Sequence, residues 1–170
     1  MSHSDNPEMV VSAIINGDHA ALEGYLSSGG NPDLLYRDRS LIHWAAQESN
    51  REAARLLLAR GASLEIQDKE GHFPLYQAAG EGSLEIVQLF VEAGAVVNRV
   101  CDSGSALSIA CAFGHLEVAS YLVSVGADLD LPDSEGETAR SILEGANSPM
   151  IAAVAYLGRF LSSTTPLELL

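Results

Sequence analysis

The chain has 170 residues and a mass of 17.9 kDa, a length suited to one domain with its own core. Hydrophobic residues make up 47% and charged residues 19%, which excludes a disordered polar chain. Nine Lys and Arg against 23 Asp and Glu leave a net charge of -14, a field that repels nucleic acid and anionic lipid and attracts cationic protein surfaces.

The opening segment, MSHSDNPE, has no basic stretch followed by an apolar one, so it does not read as a signal peptide. The apolar run Met150–Gly158 is half of what a membrane span requires. Two cysteines, Cys101 and Cys111, are too few for a disulfide framework and fit no metal-ligand pattern. Together these features predict a cytoplasmic protein with no cofactor or metal. Charge is uneven: the net is -3 up to Arg60 and -11 from Gly61 onward.

Three blocks repeat along the chain: NREAARLLLARGASLE (50–65), SLEIVQLFVEAGAVVN (83–98) and HLEVASYLVSVGADLD (115–130). Their Gly-Ala endings fall at Gly61, Gly94 and Gly126, spacings of 33 and 32. The preceding halves also align, as LIHWAAQES, PLYQAAGEG and ALSIACAFG, and turn-rich pieces such as QDKEGHF and CDSGS come before them. In the second helix of each unit apolar residues recur at helical steps: Ala54, Leu57 and Leu58, then Ile86, Leu89 and Phe90, then Val118, Tyr121 and Leu122. Small pairs, Ala45-Ala46, Ala78-Ala79 and Ala110-Cys111, allow first helices to pack closely. The glycines at 61, 94 and 126 stand where a helix ends in a left-handed conformation.

A period of about 33 with a turn and two short helices resembles the ankyrin repeat. The central unit departs from the family pattern mainly at Phe73 and Tyr76, and the resemblance runs from about residue 8 to 162. It implies an all-α solenoid of stacked helix-turn-helix units joined by β-turn or hairpin-like loops, one domain over 1–170. The units are expected at 7–35 (an N-terminal cap), 36–67, 68–100, 101–132 and 133–162 (a C-terminal cap), with a tail at 163–170. The caps differ from the middle. The first keeps Gly17, Leu22, Leu26 and Gly29 but lacks a preceding turn. In the last, Ala139, Arg140 and Ser141 stand where Pro, Leu and His are usual, a second helix is expected from Ser148 and Pro149, and Arg140, Glu144 and Arg159 supply a polar outer face.

Among the histidines, His43 and His115 occupy positions where the family places structural His, tying turns or carbonyls together; His3 and His19 read as solvated, and His72 as a turn-tip residue. No H-E-x-x-H, G-x-S-x-G or Walker A string occurs, and Gly80-Glu81-Gly82 follows a helix rather than a strand, so the chain does not read as an enzyme. Cys101 and Cys111 read as core thiols. Two readings stand for Trp44: an interaction hot spot, or a wedge between the first and second units.

The resemblance implies that turn tips and the exposed side of the first helices form a concave binding surface. The positions that match are Tyr36, Arg37, Arg39, Trp44, Gln47 and Glu48 in the second unit and Lys69, Glu70, His72 and Glu81 in the third. Asp102, Ser103, Ser105 and Phe113 match in the fourth, and Ser134, Glu135 and Glu137 in the last. Leu35 and Asp38 depart from the family's turn, which puts the second tip's geometry in doubt. This surface carries aromatic and Arg character at one end and acid at the other. The expected role is a monomeric, non-enzymatic module that binds another protein, one with a basic surface, as an adaptor or regulator. The rival readings are an immunity-type inhibitor of a basic toxin or enzyme, and an accessory or chaperone protein for an enzyme.

Overall fold

The computed structural model describes residues 6–145. Helices come in pairs: α1 (Pro7–Asn16) and α2 (His19–Ser27), α3 (Leu41–Gln47) and α4 (Arg51–Ala59), α5 (Pro74–Gly80) and α6 (Leu84–Glu92), α7 (Ala106–Ala112) and α8 (Leu116–Ser124), then α9 (Ala139–Gly145). First helices pack in one row, α1 on α3, α3 on α5, α5 on α7 and α7 on α9; second helices pack in another, from α2 to α8. This is an all-α repeat stack. Among the described residues no helix is long and apolar enough to cross a membrane. The expected helix from Ser148, the apolar run at 150–158, Arg159, His3 and the tail lie outside the described residues.

Short polar caps allow such brief helices to form. Asn6, Asp18 and Asn50 accept from the backbone N–H groups of Glu8, Ala21 and Ala53, and Ser105 and Ser108 form a reciprocal capping box on α7. Gly61, Gly94 and Gly126 close their helices at φ 84°, 95° and 92°, the left-handed geometry expected of them.

The core runs continuously through the stack, with Ile14, Leu22, Leu41, Ile42, Leu57, Ile86, Phe90, Leu107 and Leu122 fully buried. Its face on the second helices differs from the one expected. Ala53, Val87 and Ala119 are buried, while Leu58, Leu89 and Tyr121 are only partly so. Each second helix meets its own first helix and its neighbours in the row of second helices, two for α4 and α6 and one for α2 and α8. Packing against these neighbours buries Ala53, Val87 and Ala119 in place of Leu58, Leu89 and Tyr121.

Two hairpins join the units. β1 (Leu35–Tyr36) pairs antiparallel with β2 (Arg39–Ser40), and β3 (Val100–Cys101) with β4 (Gly104–Ser105). Each begins one residue before the unit boundary read from the sequence. In the first, the two loop residues Arg37 and Asp38 have φ 52° and 59°, a turn that usually takes Asn-Gly. The other tips are braced by aspartates: Asp68 Oδ1 accepts from the N–H groups of Glu70 and His72, and Asp133 Oδ1 from those of Glu135 and Glu137.

Polar struts tie one unit to the next. His115 Nε2 donates to the Gly80 carbonyl at 2.8 Å, and Asn50 Nδ2 to that of Ile14 at 2.8 Å. His19, expected to be solvated, is half-buried with Nε2 2.9 Å from Asn50 Oδ1, because the amide already committed to Ile14 leaves its oxygen facing α2. Buried His43 lies with Nε2 3.0 Å from the His72 carbonyl and Nδ1 2.7 Å from Ser40 Oγ. The carbonyl can only accept, so Nε2 carries a proton and donates to it.

Burial holds the His43 pKa below its ordinary 6.5, with the His72 carbonyl and Asp68 pulling the other way. The unfolded chain therefore takes up this proton first, so stability is full above pH 6.5 and declines as pH falls below it. Urea midpoints measured from pH 7.5 to 5.5 are expected to drop, and His43→Gln is expected to flatten that slope. A slope unchanged in the variant would remove His43 as its source.

Candidate partner-binding face

Residues of the second, third and fourth tips and of α5 and α7 come together around one groove. In the second unit Trp44 is half-buried, its Nε1 donating to the Tyr36 carbonyl at 3.3 Å, with the two rings 6.1 Å apart and tilted by 46°. The exposed Arg37 guanidinium lies 5.1 Å from the Tyr36 ring centre, a cation–π contact. Trp44 thus packs against its own hairpin tip and holds Tyr36 in place.

Next along the face is a charge network. Arg39 donates from Nη1 to Gln47 Oε1 at 2.5 Å, and its Nε and Nη2 lie 3.4 Å from Asp68 Oδ2 and 3.5 Å from Glu70 Oε2. His72 Nδ1 stands 3.8 Å from Asp68 Oδ2 and 3.5 Å from Glu70 Oε2; its Nε2 is 3.1 Å from Ser103 Oγ. Its ring stacks on Tyr76 at 4.5 Å. The Tyr76 hydroxyl donates to the Ser103 carbonyl at 3.4 Å, and burial raises its pKa. Asp68 is only 6% exposed, and its Oδ2 has no hydrogen bond. One ligand-type atom each from Asp68, Glu70 and His72 lies within 4.8 Å of the others. The Arg39 guanidinium already stands against both carboxylates, so this cluster has its cation built in and braces the tip. Exposed Lys69 reaches Glu70 Oε1 at 3.8 Å.

Beside this network opens the groove, about 560 Å³ in volume, between α5 and α7. Six of the positions read from the sequence line it: Arg39, Glu70, His72, Glu81, Ser103 and Phe113. Phe113 is 65% exposed, the most open of the large apolar side chains described. Tyr76, Gln77, Gly80 and Ile109 complete the lining and were missed. The repeat itself carried the signal, because Gln77 and Ile109 follow Trp44 at steps of 33 and 32.

Other expected positions sit elsewhere. Gln47 is half-buried and exposed Glu48 ends α3. The exposed residues Asp102, Ser134, Glu135 and Glu137 belong to the last two tips, where the Ser134 hydroxyl donates to the Asp102 carbonyl at 2.8 Å. Ser105 is a correction: it is 2% exposed and spends its hydroxyl on the α7 cap, so it presents nothing to a partner. Both cysteines are buried, and burial pushes the Cys111 thiol up to about 11 and raises Cys101 as well, which leaves neither a ready thiolate.

Comparison with known proteins places this geometry. A family model of three ankyrin repeat copies matches residues 9–101, and a single ankyrin repeat matches 104–134. The chain is 33% identical over 113 residues to protein phosphatase 1 regulatory subunit 27 of Mus musculus, covering 66% of this chain and 70% of that protein. It is 39% identical over 117 residues to the mouse B-cell lymphoma 3 protein homolog, covering 66% of this chain and 26% of the relative. It is 36% identical over 104 residues to the probable 26S proteasome regulatory subunit p28 of Saccharomyces cerevisiae, covering 59% of this chain and 46% of the relative.

Proposed function

From the chain's membership of the ankyrin repeat family, a protein-interaction module, we propose that it acts without catalysis as an adaptor or regulator, seating one partner protein on its hairpin and first-helix face. The observation that carries this reading is the groove between α5 and α7, lined by Arg39, Glu70, His72, Glu81, Ser103 and Phe113 from the hairpin tips and first helices. Relatives named as regulatory subunits support a regulatory role. The net charge of -14 supports a partner with a basic surface, which the field would steer toward this monomer.

The test is hydrogen exchange on the full chain with and without the partner captured from its source cells. Protection is expected at 36–48, 69–81 and 102–113. Protection confined to the second helices would overturn the assignment of the face. Partner affinity is also expected to fall steeply between about 50 and 300 mM salt, since exposed charges are screened within about a Debye length. Affinity indifferent to salt over that range would refute acidic steering.

A further inference from the structure

Glu48, Glu81 and Phe113 hold the same place in three successive units, each the residue that ends its first helix (α3, α5 and α7). They form a row across the stack. Glu48 and Glu81 are exposed, and among the described residues neither has a basic side chain within ion-pair distance. Their printed side-chain partners are neighbouring amides, Gln47 Nε2 at 3.3 Å from Glu48 and Gln77 Nε2 at 2.8 Å from Glu81. An amide positions a carboxylate without neutralising it. Glu52, Glu65 and Glu70, by contrast, each meet an arginine.

Beside Glu81 lies the groove's apolar wall. Gly80 has no side chain; a Cβ there would stand 3.3 Å from Ile109 Cγ1 and 4.0 Å from Phe113 Cε2. A side chain at this position would crowd the Ile109 and Phe113 side of the groove, which glycine leaves clear. A 65%-exposed aromatic ring lining the same groove as an unneutralised carboxylate suits one kind of side chain. Arg or Lys lays its methylenes or its charge on the ring face and brings its cationic head to the carboxylate. An acidic or phosphate-bearing segment would be repelled, and a purely apolar one would desolvate two carboxylates without pairing them.

We infer that this row takes a segment of the partner protein in polyproline II conformation bearing two basic side chains three residues apart, one paired with Glu48 and the other with Glu81 against the Phe113 ring. The spacing follows from geometry. Packed helices are about 8–10 Å apart, and a polyproline II chain advances about 3.1 Å per residue with three residues per turn, so one unit corresponds to about three residues and both basic side chains fall on the same side. The inference rests on the face proposed above and names its occupant.

The probe is a phage library of random 12-residue peptides panned on the full chain. Enrichment of a basic–x–x–basic pattern is expected. Titration of a labelled enriched peptide should show at least about tenfold weaker binding to Glu81→Arg and to Phe113→Ala. Both positions are exposed, and thermal melts should confirm that the variants fold. Panning on Glu81→Arg should shift the second basic position toward Asp or Glu. No enrichment, enrichment without the basic pair, or binding unmoved by both variants would overturn the inference. Peptides that ignore Glu81→Arg and Phe113→Ala but are lost on Trp44→Ala would sink it while sparing the proposed face. Peptides indifferent to all three would count against both.

Discussion

Phe90→Ala is expected to lower the unfolding free energy by about 3–5 kcal/mol, whereas Leu89→Ala, one residue earlier, should cost under about 2 kcal/mol. Phe90 is completely buried on α6 in the middle of the stack, and Leu89 is only partly covered. Truncating Phe90 removes a large ring and leaves a void. In a repeat stack each unit leans on its neighbours, so a void in the central unit loosens both sides at once. Leu89 instead borders solvent, and water can fill the space its side chain leaves. Denaturant midpoints with their slopes would decide. Equal losses for the two variants would mean that the buried stripe of α6 runs through Leu89 after all.

That contrast shows where reading the sequence stops. Apolar residues at 86, 87, 89, 90 and 91 permit more than one helical stripe, and only the neighbouring helices decide which of them is buried. The period, the paired helices and the left-handed glycines were legible because each rests on local chemistry repeated every 32 or 33 residues. His43 and His115 were legible as struts for the same reason. Contacts between units were less so. His19 reads as a surface residue until Asn50, 31 residues on, is placed beside it. Ser105 reads as a tip serine, yet hairpin pairing of Val100 with Ser105 turns it inward onto the α7 cap. Leu35 and Asp38 depart from the family's turn in the sequence; the structure meets that departure with Arg37 and Asp38 held at positive φ. The groove was half legible, since its acids and Phe113 fall at tip and helix-end positions, while Tyr76 stood out only as a departure from the family pattern and Ile109 not at all.

On the same face, Tyr36→Ala and Trp44→Ala are each expected to weaken partner binding by about 2 kcal/mol or more, roughly 30-fold, while Glu137→Ala should cost less than about 1 kcal/mol. The Trp44 indole fixes the Tyr36 backbone through its Nε1, the two rings are packed, and Arg37 lies over the tyrosine. Such a ledge is ordered before the partner arrives, so little freedom is lost on contact. Glu137 is different. It is exposed on the last tip, and the hydrogen bond it gives to Asp133 comes from its backbone N–H, which alanine keeps. Its carboxylate is a rim charge that acts on encounter more than on residence. Calorimetric titration against the captured partner would measure all three variants. Thermal melts are the control, because Trp44 also packs on the core and a folding defect would mimic lost affinity. If the three variants bind equally well, the aromatic ledge contributes nothing to recognition.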